Sequence, residues 1–119
     1  MKADVDAVFE RLARGQLSPA APGAVDGWET QLPTGATVTR SMLQAEARPL
    51  IALGAEAVPA LLPWVRHGNA ALRYVAVFAL GELTGERPRI GHFDDDPAPR
   101  EQAIAAWRAW YDRRAAAGP

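Results

Sequence analysis

Histidine and aspartate residues are the side chains of this sequence that could carry out acid–base or metal chemistry. His92 closely precedes Asp94, Asp95 and Asp96, and an imidazole beside three carboxylates could hold a hard divalent cation. The spacing matches no calcium-loop pattern, and consecutive carboxylates cannot all point at one ion without a sharp turn. We therefore interpret 94–96 as a solvated acidic loop that caps the next helix, where anions are favoured. The alternative is a small metal- or ligand-dependent enzyme that uses this loop.

The other reactive side chains favour structural roles. His67 follows Arg66 at the end of a predicted helix, where a protonatable ring suits the negative end of the helix dipole. Ser18 and Ser41 are the two serines, and neither follows the strand-to-helix pattern of a nucleophile elbow. The chain contains no cysteine, which excludes thiolate catalysis and cysteine-based zinc sites. The sequence therefore predicts no catalytic residue, no metal and no cofactor.

Charge and composition argue against nucleic-acid and membrane partners. The 119 residues include 13 basic and 14 acidic side chains, whereas a nucleic-acid-binding domain usually has a basic stripe. Charged residues interrupt the apolar residues of 1–15, so we expect neither a signal peptide nor a membrane span there. A chain of this length can bury a core without disulfides or metals. We expect one cytoplasmic domain over 1–119.

The first third of the chain combines a helix with an irregular arm. Apolar residues at helical spacing predict a helix within 1–15, and a glycine ends it. Proline and glycine interrupt every pattern over 16–39. Around Gly35 this arm either forms a short hairpin or is an irregular segment held by Trp28 and Leu32. In both cases we expect it to cover one end of the helices that follow.

Four helices are predicted over the rest of the chain. Either Thr39 or Ser41 can cap the first of them. Pro63 should bend the second helix, and Asn69 is a good cap for the third. Trp107, with the aromatic residues one turn further on, gives the last helix an apolar face that closes the other end. The predicted bounds are about 40–53, 55–66, 70–84 and 98–114.

An internal repeat occurs at an offset of 27 residues. Leu50-Ile-Ala-Leu-Gly54 aligns with Val77-Phe-Ala-Leu-Gly81, so both helices are predicted to end in the same way. With the Val58-Pro59 pair that opens the next helix, these segments resemble HEAT repeats, as found in small bacterial HEAT-like proteins. The resemblance is good over 42–84 and weaker over 85–114. It implies an all-α fold, a short α-solenoid of about two HEAT-like helical pairs within 40–114.

The resemblance also implies a non-catalytic protein–protein interaction or scaffold module. In HEAT proteins the second helices of successive pairs line the surface that binds a partner protein. Here that helix carries Trp64, Arg66 and His67 off its core stripe, with Arg73 nearby, and Trp and Arg are frequent interface anchors. These four residues are the predicted partner-binding site. Two alternatives stay open: Trp64 packs under the arm, or the protein is a structural homodimer.

Overall fold

The structure of the protein, a computed structural model, describes residues 1–17, 29–87 and 97–117. Over these ranges the chain is mostly helical, with one small antiparallel sheet. The predicted all-α class is confirmed in this broad sense. Among the described residues, no helix combines the length and apolar character needed to cross a bilayer. The elements are α1 Lys2–Ala13, β1 Glu29–Gln31, β2 Thr37–Thr39, α2 Arg40–Ala52, α3 Val58–Leu61, α4 Ala70–Thr84 and α5 Pro97–Ala116.

The arm forms the hairpin rather than an irregular segment over 29–39. β1 and β2 pair antiparallel, with Thr30 opposite Val38. Gly35 adopts a φ of 92° in the turn, a conformation that side chains with a Cβ rarely adopt. Leu32 is buried in the core next to this turn. Trp28, the second residue predicted to hold the arm, lies outside the described residues.

The caps of α2 and α4 follow the local sequence rules. The Thr39 hydroxyl accepts the Met42 main-chain N–H at 3.3 Å, so Thr39 rather than Ser41 caps α2. The Asn69 side-chain oxygen accepts the Leu72 main-chain N–H at 3.1 Å at the start of α4. Each helix end therefore satisfies a main-chain donor that would otherwise have no partner within the helix.

The segment predicted as one bent helix over 55–66 consists of three short pieces. A 3-10 turn at Ala55–Ala57 leads into α3, and a second 3-10 turn at Leu62–Arg66 follows it. Pro63 has no N–H to bond the carbonyl four residues earlier, so α-helical hydrogen bonding stops and the tighter 3-10 pattern takes over. The predicted bounds of about 55–66 are those of this helical segment, but its hydrogen bonding is α-helical only over α3.

The two copies of the repeat signature lie at different positions relative to the ends of their helices. Gly54, with a φ of 85°, directly follows the C-cap of α2. Gly81 instead lies buried inside α4, which continues to Thr84 before Gly85 adopts a φ of 74°. The signature therefore does not end the second helix, whereas the predicted bounds of that helix, about 70–84, agree with the structure.

The core is one cluster to which every helix contributes. α2 and α4 pack against each other, and the 55–66 segment packs against α4 and also contacts α1 and α5. The hairpin contacts both α2 and α4. The largest fully buried side chains are Trp107, Phe9, Leu12, Leu32, Leu43, Leu50, Leu61, Leu62, Leu72 and Leu80.

The direction of α5 follows from the polar contacts near its two ends. Near its start, Glu101 pairs with Arg66, and near its end the Tyr111 hydroxyl donates to the Glu56 carboxylate at 2.8 Å. α5 therefore runs antiparallel to the 55–66 segment. Stacked copies of one helical pair would place their second helices parallel, so α5 is not a translated copy of the helix it packs against.

The aromatic residues of α5 close this end of the core. Trp107 is fully buried, and its indole N–H donates to the Glu86 carbonyl just after α4 at 3.0 Å. Trp110 and Tyr111 are partly buried against the same cluster. Because α5 buries a ring as large as indole, it covers this end of the core, as the spacing of its aromatic residues predicts.

Candidate partner-binding surface

Trp64 forms an aromatic joint between α1 and the 55–66 segment. Its indole stacks on Phe9 with centroids 4.4 Å apart and planes 9° apart, and on His67 with centroids 5.6 Å apart. Its N–H donates to the Asp6 carboxylate at 3.0 Å. Hydrogen bonds from Lys2 and then Trp64 hold the pKa of Asp6 below its ordinary value. Trp64 is thus half-buried beneath α1.

His67 is held as a neutral acceptor. Its Nδ1 accepts the Asn69 main-chain N–H at 2.9 Å, and its carbonyl accepts from the Arg73 guanidinium at 2.8 Å. A ring nitrogen that accepts a hydrogen bond carries no proton. Burial, and after it the charge of Arg73, lower the pKa of His67 below 6.5. His67 therefore acts at this helix end through its hydrogen bond to Asn69 and not through a positive charge.

The two predicted arginines occupy different environments. Arg66 is exposed and forms two hydrogen bonds to Glu101, at 2.6 and 2.8 Å. This pairing raises the pKa of Arg66 and lowers that of Glu101. Arg73 is 4% exposed and braces the turn at His67. Because exposed ion pairs contribute little to stability, a carboxylate on a partner could replace Glu101 at small cost.

A second ion pair attaches α1 to α2. The Arg11 guanidinium donates to the Glu46 carboxylate at 2.7 Å, and the Glu46 side chain is 2% exposed. The two residues are 35 positions apart, and sequence reasoning did not identify them. Together with the Trp64 joint, this pair fixes α1 at two points.

A groove of about 640 Å³ lies between the hairpin and the start of α4. Its walls are mostly small or polar residues, and the groove is open to solvent. The Asn69 side-chain NH2 donates to the Gln31 main-chain carbonyl at 3.0 Å, so the residue that caps α4 also ties β1 to it. Sequence reasoning missed the groove because it depends on the hairpin alternative. The lining residues are Glu29, Thr30, Gln31, Leu32, Pro33, Gly35, Thr37, Gly68, Asn69 and Ala70.

One wall of the groove is the outer edge of β1. The Leu32 N–H donates to the Ala36 carbonyl, which makes these two residues a hydrogen-bonded pair across the turn. Hydrogen-bonded and non-hydrogen-bonded pairs alternate along antiparallel strands, so the next pair, Gln31 and Thr37, is not hydrogen-bonded, and neither is the pair of Glu29 and Thr39. The main-chain N–H and C=O groups of Glu29 and Gln31 therefore point away from β2. Asn69 occupies the Gln31 carbonyl and so covers part of this edge.

Contacts through His67 join three of the four predicted residues, Trp64, His67 and Arg73, whereas Arg66 pairs with Glu101 at the surface. Arg66 is exposed, Trp64 and His67 are half-buried, and Arg73 is buried. The joint continues through Gly68 into the groove. Its long-range contacts, such as the stack of Trp64 on Phe9, have no local sequence signal that could have revealed them.

The residues of the alternative metal site, His92 and 94–96, lie outside the described residues. Across 1–17, 29–87 and 97–117, no group of three or more His, Asp or Glu side chains is placed to hold a metal ion. No protein-family model, curated protein or solved structure matches the chain.

Proposed function

We propose that the protein is a non-catalytic, cytoplasmic protein–protein interaction module, and that it binds its partner protein along 66–70 and the groove beside them. The observation that carries this proposal is the open groove, whose walls are mostly small or polar residues and include the outer main-chain edge of β1. Such walls suit the extended backbone of another protein, since main-chain hydrogen bonds can provide affinity there. The exposed Arg66 adds a site for a partner carboxylate.

The titratable side chains beside the groove support binding rather than catalysis. The His67 imidazole is engaged with Asn69, and the Arg66 guanidinium is engaged with Glu101. These contacts serve the fold or an exposed ion pair, and none of them aligns a nucleophile with a base.

The HEAT-like character is part of the same proposal. Gln44 near the start of α2 donates to the Tyr74 hydroxyl near the start of α4, so these helices run in the same direction, as repeated helices do. The direction of α5 differs from that of a repeat. We therefore propose one and a half HEAT-like repeats, closed by α1 and α5.

Site-specific photo-crosslinking tests where a partner binds. A benzoylphenylalanine placed at Glu29 or Thr37, both exposed in the groove, should crosslink the same protein in lysate of the source cells. The control position is Arg108, exposed on α5. Arg66→Ala should weaken capture of that protein more than Arg108→Ala does.

Equal crosslinking from Arg108 and from the groove would contradict the proposal. Capture of a second copy of this chain from both groove positions would favour the homodimer instead, and light scattering would then show a concentration-dependent mass. Tight binding of Ca²⁺, Mg²⁺, Mn²⁺ or Zn²⁺ that Asp94→Asn abolishes would favour the metal-dependent enzyme.

A further inference from the structure

The turn 67–69 is the place where the aromatic joint and the groove meet. His67 belongs to the stack with Trp64, and Asn69 lines the groove. One hydrogen bond joins the two, from the Asn69 main-chain N–H to the His67 Nδ1 at 2.9 Å. This bond requires an unprotonated nitrogen, so it depends on the charge of the ring.

Asn69 makes three structural hydrogen bonds from one position. Its main chain bonds to His67, its side-chain oxygen accepts from Leu72, and its side-chain NH2 donates to the Gln31 carbonyl. The same side chain therefore caps α4 and covers the edge of β1. A change in the main chain at Asn69 moves both side-chain bonds together.

We propose that the 67–69 turn is a pH-sensitive latch on the groove. Protonation of His67 at Nδ1 turns an acceptor into a donor and breaks its bond with the Asn69 N–H. Asn69 then releases the Gln31 carbonyl, and the edge of β1 becomes available in the groove. The latch would control one acceptor of the groove, the Gln31 carbonyl, while Glu29, Thr37 and Arg66 stay exposed in either state. Its biological meaning rests on the proposed function.

The charges around the ring set the direction of the switch. Arg73 lies buried next to it and opposes a second positive charge, while Asp6 reaches the stack through the Trp64 N–H and already pairs with Lys2. Burial and Arg73 lower the pKa of His67, so the latch is closed at neutral pH and opens below about pH 6.5. The charged groups linked to the ring by contacts are Asp6 and Lys2 through Trp64, Arg73 through the His67 carbonyl, and the neighbouring Arg66 with its partner Glu101.

An NMR titration of the isolated full chain from pH 7.5 to 5.0 tests the latch without any partner. The His67 ring signals should titrate with a midpoint below 6.5. The Asn69 main-chain amide, its side-chain NH2 and the Gln31 amide should shift with the same midpoint, and hydrogen exchange at Asn69 should speed up at least several-fold beyond the intrinsic pH effect.

Two variants separate the histidines of the chain. His92→Gln should leave the coupled shifts intact, whereas His67→Gln should remove them over this pH range. If the Asn69 NH2 and Gln31 signals stay fixed while His67 titrates in the wild type, the latch is refuted. Shifts of equal size in a folded His67→Gln variant would also refute it. Either result leaves the proposed partner binding standing, because crosslinking at pH 7.5 tests that separately.

Discussion

Replacing Arg11 or Glu46 one at a time should have unequal effects on stability. The carboxylate of Glu46 is 2% exposed, while 35% of the Arg11 side-chain surface is exposed to water. In Arg11→Met the carboxylate loses this ion pair and stays buried. In Glu46→Leu the guanidinium can still be hydrated, and leucine fills much of the space. The order of the two effects follows from which charge is left in the interior.

The magnitude can be worked from this asymmetry. Removing one partner of a buried ion pair costs about 3–5 kcal/mol, and partial exposure of the pair reduces this. We expect Arg11→Met to lower the free energy of unfolding by about 2–4 kcal/mol and Glu46→Leu to lower it by about 0.5–1.5 kcal/mol. The double variant should lie within about 1 kcal/mol of the wild type, because an apolar pair often replaces a buried ion pair at little cost.

Urea unfolding followed by circular dichroism at pH 7 measures these differences. With a slope of about 2 kcal/mol per M, the Arg11→Met midpoint should fall by about 1–2 M. Arg14→Met, at an exposed position at the end of α1, is the matched control and should change the midpoint little. Equal losses in the two single variants, or a loss below about 0.5 kcal/mol in Arg11→Met, would refute the reasoning.

Three further changes test other parts of the fold, each by urea unfolding. Gly54→Ala and Gly15→Ala both force a Cβ into a positive-φ conformation at a cost of about 1–2 kcal/mol. Gly15→Ala should cost more, since its Cβ would lie 2.9 Å from the Thr34 hydroxyl, and Thr34→Ala should remove the difference. Trp107→Ala should cost about 3–5 kcal/mol and Trp107→Phe clearly less, because a ring still fills the core; similar losses would contradict the sealing role of the indole. The lowered pKa of His67 means that the unfolded chain binds a proton more readily than the folded one. Stability is therefore full above about pH 6.5 and falls as the pH drops towards the lower folded pKa, and His67→Gln should flatten this part of the profile.

Features of the structure that depend only on residues close together in the sequence were predictable. Thr39 and Asn69 cap their helices because a cap needs one side-chain oxygen and a donor two or three residues away. The apolar stripe of α1 was predictable for a similar reason, since its period matches a helical turn. The change from 3-10 to α-helical hydrogen bonding and back within the 55–66 segment was not predictable. The effect of Pro63 depends on how the surrounding packing tolerates a missing N–H.

The candidate site was harder to predict because its contacts join distant parts of the chain. The Trp64 indole meets Asp6 across 58 positions, and Asn69 meets Gln31 across 38. An isolated apolar or polar residue does not specify such a partner. The charge state of His67 likewise depends on burial and on Arg73, which its position at a helix end does not reveal.

The two copies of the internal repeat differ in where their helices end relative to the shared signature. α2 ends at Ala52, and the corresponding position in α4 is Ala79, yet α4 continues five residues further to Thr84. Five residues move the exit of the helix by about 7.5 Å and turn it by about 140°. The chain therefore leaves α4 in a different direction from the one that Gly54 gives after α2. α5 packs antiparallel on the 55–66 segment, and in the proposed HEAT-like arrangement it covers the face on which a further repeat would stack.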